Sequence, residues 1–161
     1  MIHNISLVHV LLVLAALACI GLVVREMLWP HVTQGWLFAP GLAAAVVAGG
    51  LFLIQIVAGR PLWPFAAAAA IGLLIGLVRG LTIPLTHDSY HTVALISRRA
   101  SIVLVAVGVL VGICVGLEIF GAFDSPLHEK VRLWAALSAV VCAVAMLVRA
   151  LTLAIRIMNR A

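Results

Sequence analysis

Five long apolar runs, separated by short polar breaks, dominate the chain. The first extends from Ile5 to Val24 and stops at Arg25 and Glu26. The second covers Leu37 to Val57 and ends at Gly59-Arg60-Pro61. Proline cannot continue a helix there, and glycine favours its end. The third covers Trp63 to Gly80, the fourth follows Arg98-Arg99 and covers Ala100 to Phe120, and the fifth covers Arg132 to Leu153. An α-helix needs about 20 apolar residues to cross the hydrocarbon layer of a membrane. The pattern therefore predicts an all-α integral membrane protein, a single domain over 1–161 with about five transmembrane helices in a compact bundle. The predicted spans are 5–24, 37–57, 63–80, 100–120 and 132–153. The third run is the shortest, so a four-span layout with one re-entrant segment is the alternative.

Composition supports lipid as the solvent. Of 161 residues, 66% are hydrophobic and 9% charged, whereas soluble domains carry about 45–50% and about 25%. The first run is not preceded by Lys or Arg and continues past Cys19, so it reads as a membrane helix rather than a lipoprotein signal.

The formal net charge of +5 lies mostly at run boundaries, with no basic stretch dense enough for nucleic acid. With the N-terminus outside, Arg25, Arg79, Arg98, Arg99, Arg149, Arg156 and Arg160 fall on the cytoplasmic side, and Arg60, Lys130 and Arg132 fall outside. The positive-inside rule favours that orientation. It puts Trp29 and Trp36 at the inner interface and Trp63 and Trp134 at the outer one, where indole rings prefer to lie. The expected location is a bacterial inner membrane, multi-pass, N-terminus out and C-terminus cytoplasmic.

Small residues recur every four positions at Ala68, Gly72, Gly76 and Gly80, and again at Gly108, Gly112 and Gly116. Residues four apart share a helix face, and such glycine-zipper stripes let backbones approach closely in lipid. The third and fourth helices are consecutive and antiparallel, so their stripes are expected to face each other. Homodimerisation through one stripe is the other reading. Gly41, Ala45 and Gly49 give the second helix a lesser stripe.

The longest connection, Leu81 to Arg99, has two β-prone runs around a turn-prone centre at His87 to Tyr90. It reads as a short cytoplasmic β-hairpin or turn between helices three and four, docked on the helix ends, with Pro84 confining its first strand to an edge. A continuation of the fourth helix is the alternative. His87 and His91, with Asp88 between them, are the candidate metal ligands, since two histidines four apart can share a metal on a helix. On a hairpin the same spacing makes an ordinary polar turn.

His9, Gln55 and Glu118 are polar positions near the outer ends of their spans, with Arg60, His128, Lys130 and Arg132 at similar depth. They form either a structural interfacial network or a small outward-facing binding pocket of His9, Gln55, Arg60 and Glu118. Arg149 reads as snorkelling to the inner surface. No ionisable group stands near the midplane, which argues against a pump or coupled transporter. Cys19, Cys114 and Cys142 are expected at three different depths, and no Cys-x-x-Cys exists. No pair of intramembrane histidines offers haem its axial ligands, and no cofactor is expected. Phosphate-loop, nucleophile-elbow and zincin motifs are missing.

The run Gly72-Leu-Leu-Ile-Gly76-Leu-Val-Arg79-Gly80, a Thr-rich connection, and Arg98-Arg99-Ala-Ser101 opening the next helix resemble the CcdC-like family of small bacterial membrane proteins. The likeness covers the middle third by motif and the remainder by layout. The first loop departs from the family, holding only Arg25 where a strongly basic loop is usual. The resemblance implies a bacterial inner-membrane location and, through the family's name, a link to cytochrome c biogenesis. It supplies no catalytic residues.

The expected function is a non-enzymatic accessory or assembly subunit, whose partners are the lipid bilayer and a membrane protein or a second copy of the chain. A small transporter or channel component using the outer polar cluster is the alternative. A lipid-acting enzyme with its site at His87 and His91 is the third.

Overall fold

The computed structural model describes residues 7–28, 31–32, 34–87, 94–96, 98–121 and 127–159. Five helices carry the architecture: α1 (Leu7–Leu28), α2 (Gln34–Val57), α3 (Trp63–Thr82), α4 (Arg98–Gly121) and α5 (Leu127–Met158). All five are long and apolar enough to cross a membrane. Large apolar side chains point outward along each of them, among them Leu14, Leu17, Val46, Leu53, Leu74, Ile102, Ile113 and Leu151. Exposed leucine and isoleucine over whole helix flanks make sense with lipid around them. The protein is a multi-pass membrane protein.

The helix limits differ from the apolar runs where polar residues begin. α1 runs four residues past Val24, through Arg25 and Glu26, to Leu28. α5 has 32 residues instead of the expected 22, about 48 Å at 1.5 Å per residue against a hydrocarbon layer of about 30 Å. Hydropathy marks the part of a helix that lipid touches. It is blind to turns that continue into the polar interface, and Leu127 to Arg132 forms such turns.

α5 is the hub. It packs on α2, α3 and α4, and an ion pair joins it to α1. All five helices share one buried core that includes Cys19, Val47, Leu51, Val111, Ala136 and Ala139, α3 contributing Phe65, which meets Phe52 of α2 edge-on. The main neighbour of α3 is α5.

This arrangement corrects the expected meeting of the two glycine stripes. A Cβ on Gly72 would stand 2.6 Å from the Val141 carbonyl oxygen, and one on Gly76 2.6 Å from that of Ala145. Gly80 lies against Thr152. The α3 stripe thus seats α5. On α4, Gly108 meets Val23 and Gly112 meets Ile20 of α1, while Gly116 has nothing within 4 Å. In α2, Gly41 touches Leu147 and Gly50 touches Leu12. Helix order along the chain was a poor guide because α3 takes α5, not the next helix α4, as its main neighbour.

At one end of the bundle, short extended segments pair: β1 (His31–Val32) and β2 (Leu85–His87) flank β3 (Ala94–Ile96) in antiparallel register. With two or three residues each, they form no separate layer. Glycine serves conformation at Gly59, whose φ of 75° turns the chain between α2 and α3.

Candidate functional site

The buried seams of four helices each contain a polar residue. On α1 the seam is Leu12, Ala16, Cys19, Val23 and Glu26. On α2 it includes Ala44, Ala48, Leu51 and Gln55; on α4, Leu104, Gly108, Val111, Val115 and Glu118; on α5, Ala139, Cys142, Met146, Arg149 and Leu153. These positions step by three and four, the spacing of one face packed against neighbouring helices. Glu26, Gln55, Glu118 and Arg149 are therefore core positions, and a charge there needs a partner.

Two buried pairs supply it. Arg132 of α5 donates from Nε at 2.8 Å and from Nη2 at 2.6 Å to Oε1 of Glu118. The Glu118 side chain is 1% exposed, that of Arg132 29%. Near the other end, Arg149 Nη2 donates to Glu26 Oε1 at 2.8 Å, with both side chains at most 5% exposed. Arg149 does not snorkel; it turns inward. In both pairs the second carboxylate oxygen has no hydrogen-bond partner, and neither does Arg149 Nε.

The expected outer cluster divides. Glu118 takes Arg132, and Arg60 pairs with Glu129 at the start of α5. Gln55 is buried, and its backbone carbonyl accepts the Arg60 amide at 3.1 Å. His9 is half-buried with both ring nitrogens unpartnered. Among the described residues no hydrogen bond joins His9 or Gln55 to Glu118.

At the opposite end, arginines anchor helix termini. Arg156 Nη1 donates to the carbonyls of Gly80 at 2.6 Å and Ile83 at 2.9 Å. It thereby satisfies orphan carbonyls at the end of α3. The Arg25 guanidinium lies 3.7 Å from the Trp36 ring centroid and ties the last turn of α1 to the first turn of α2. Arg79, half-buried one turn before the end of α3, has no carboxylate partner among the described residues.

Sequence position divides the charge unevenly. Seven arginines and the two carboxylates Glu26 and Asp88 belong to the end where α1, α3 and α5 terminate. Arg60, Lys130 and Arg132 balance Glu118, Asp124 and Glu129 at the other. The whole formal excess thus belongs to the arginine-rich end.

His87 closes β2 opposite Ala94; its side chain, and His91 altogether, lie outside the described residues. No group of three or more metal-binding side chains occurs among the described residues. Cys19, Cys114 and Cys142 are free thiols, all buried in the same core cluster. Two apolar grooves open sideways: one of about 480 Å³ between α2, α3 and α5, beside Ala45, Gly49, Phe52 and Phe65, and one of about 400 Å³ between α1 and α4.

Sequence reading missed Glu26, taken as a stop signal, and the inward Arg149. The signal was available in the three-and-four spacing that both continue. The chain matches no family model, no curated protein and no solved structure.

Proposed function

We propose that this chain is a non-enzymatic accessory or assembly subunit of a bacterial inner membrane, with its N-terminus outside and its C-terminus in the cytoplasm. The observation that carries the reading is the groove between α2, α3 and α5. It is lined almost wholly by apolar groups and opens to the side of the bundle. Gly49 on its wall has nothing within 4 Å. A transmembrane helix of a partner protein fits such a surface, because small residues allow the backbone approach that drives association in lipid. The orientation rests on the arginine-rich end lying in the cytoplasm. There the segment between α3 and α4, read as a short hairpin, adds a second docking element. The resemblance to CcdC-like proteins agrees with an assembly role.

Photo-crosslinkers placed at Ala45, in the groove, and at Leu14, exposed on α1 outside it, test this in native membranes. A single defined adduct from Ala45 and none from Leu14 supports the reading. Equal labelling by lipid alone at both positions sinks it.

One observation favours a small transporter as the second reading: Glu118 Oε2 is buried without a hydrogen bond. Buried intramembrane carboxylates commonly mark ion paths. If Glu118→Gln leaves every ion flux in liposomes unchanged, that reading fails.

A further inference from the structure

We propose that one water molecule is held inside the bundle between Arg149 and Glu26, accepting a hydrogen bond from Arg149 Nε and donating one to Glu26 Oε2. The two ion pairs of the core use their arginines differently. Arg132 spends both Nε and Nη2 on Glu118 Oε1, at 2.8 and 2.6 Å. Arg149 gives Nη2 to Glu26 Oε1 at 2.8 Å. Its Nε and the Glu26 Oε2 are both buried and, among the described residues, both without a hydrogen-bond partner. Nε is linked to Nη2 through a single carbon, and Oε2 to Oε1 through another. A donor and an acceptor thus flank the same hydrogen bond.

A guanidinium that meets a carboxylate side-on closes a fork of two parallel bonds. Here the fork is half open. Both residues sit on packed seams. Val23 lies one turn before Glu26, and Met146, Ala150 and Leu153 neighbour Arg149 on α5, none of them more than 3% exposed. Packing that dense resists the slide of α1 along α5 that would close the fork.

The chemistry selects the occupant. The pair is neutral as a whole, so an ion of either sign would leave a net charge in an apolar core. The site offers one donor and one acceptor side by side, and water is the small neutral molecule that matches both. Two hydrogen bonds are enough to hold a buried water. Leaving both members of an ion pair with an unbonded polar atom costs more than ordering one water.

The test is a crystal structure of the full chain, grown from a lipidic mesophase, at a resolution that shows ordered water. Expected is one density peak about 2.7–3.2 Å from both Arg149 Nε and Glu26 Oε2. The same structure of the Glu26→Leu, Arg149→Met double variant, which removes both partners, is expected to lose the peak. A direct Nε–Oε2 bond, a site with no peak, a protein atom of the α3–α4 connection in that position, or a peak that persists in the double variant would each overturn the proposal. If the double variant does not fold, the wild-type structure decides alone.

Discussion

Arg149 and Glu26 stand 123 positions apart in the chain, yet they share a hydrogen bond of 2.8 Å in the interior, where neither side chain is more than 5% exposed. The pair is the polar link between α1 and α5, and it fixes how far one slides along the other. Breaking a buried pair from one side strands a charge and costs about 3–5 kcal/mol, whereas replacing both partners with apolar residues is often neutral. Glu26→Leu and Arg149→Met are each expected to destabilise by that amount, and the double variant to return close to wild type. A double-mutant cycle of unfolding free energies in detergent micelles measures it. Additive losses would show that the two residues act separately.

The α3 stripe makes a second prediction. A methyl group on Gly76 meets the Ala145 carbonyl oxygen at 2.6 Å and Val148 Cβ at 2.8 Å. The first neighbour is backbone, so α3 has to move away from α5. Gly76→Ala is expected to cost about 1–3 kcal/mol, the usual range for overpacking. Gly116→Ala meets nothing within 4 Å and should gain up to about 1 kcal/mol from helix propensity. Thermal unfolding of the two variants side by side decides it; a similar effect in both would mean the α3 contact is loose.

The five helices were legible because twenty-odd apolar residues in a row have one use. Their partners were less legible. Gly72, Gly76 and Gly80 announce a close approach, but a stripe does not name the helix that fills it; α5, not the next helix along the chain, does so. Glu26 beside Arg25 looks like the polar end of a span. Counted from Leu12 in steps of four and three, it is the next seam position after Val23. Arg149 follows Met146 on α5 in the same way. Depth alone said interface, whereas face said core. The Arg156 bonds to Gly80 and Ile83 span more than seventy residues, and no local pattern encodes them.

Those bonds can be tested on their own. Charge-assisted hydrogen bonds contribute about 1.5–3 kcal/mol each, and Arg156 is half-buried. Arg156→Ala is expected to fray the last turn of α3, and Arg156→Lys to restore part of the loss with its single cationic head. Hydrogen exchange over Leu81 to Ile83 provides the local readout, because the Ile83 amide donates to the Arg79 carbonyl at 3.2 Å. Unchanged exchange there in Arg156→Ala would remove Arg156 from the cap.

The Glu118–Arg132 pair should respond unequally to loss of its two members. Glu118 has 1% of its side chain exposed, and Arg132 has 29%. With Arg132→Gln, a carboxylate remains in the core without its cation, so the cost is that of a stranded buried charge, about 3 kcal/mol or more. With Glu118→Gln, the amide oxygen still accepts from Arg132, and the freed part of the guanidinium charge reaches water through its exposed edge. The loss is then nearer that of one hydrogen bond, about 1 kcal/mol. Melting temperatures of the two variants in the same detergent give the comparison. If Glu118→Gln proves as damaging as Arg132→Gln, the negative charge itself is what the core requires, and the partial solvation of Arg132 offers no relief.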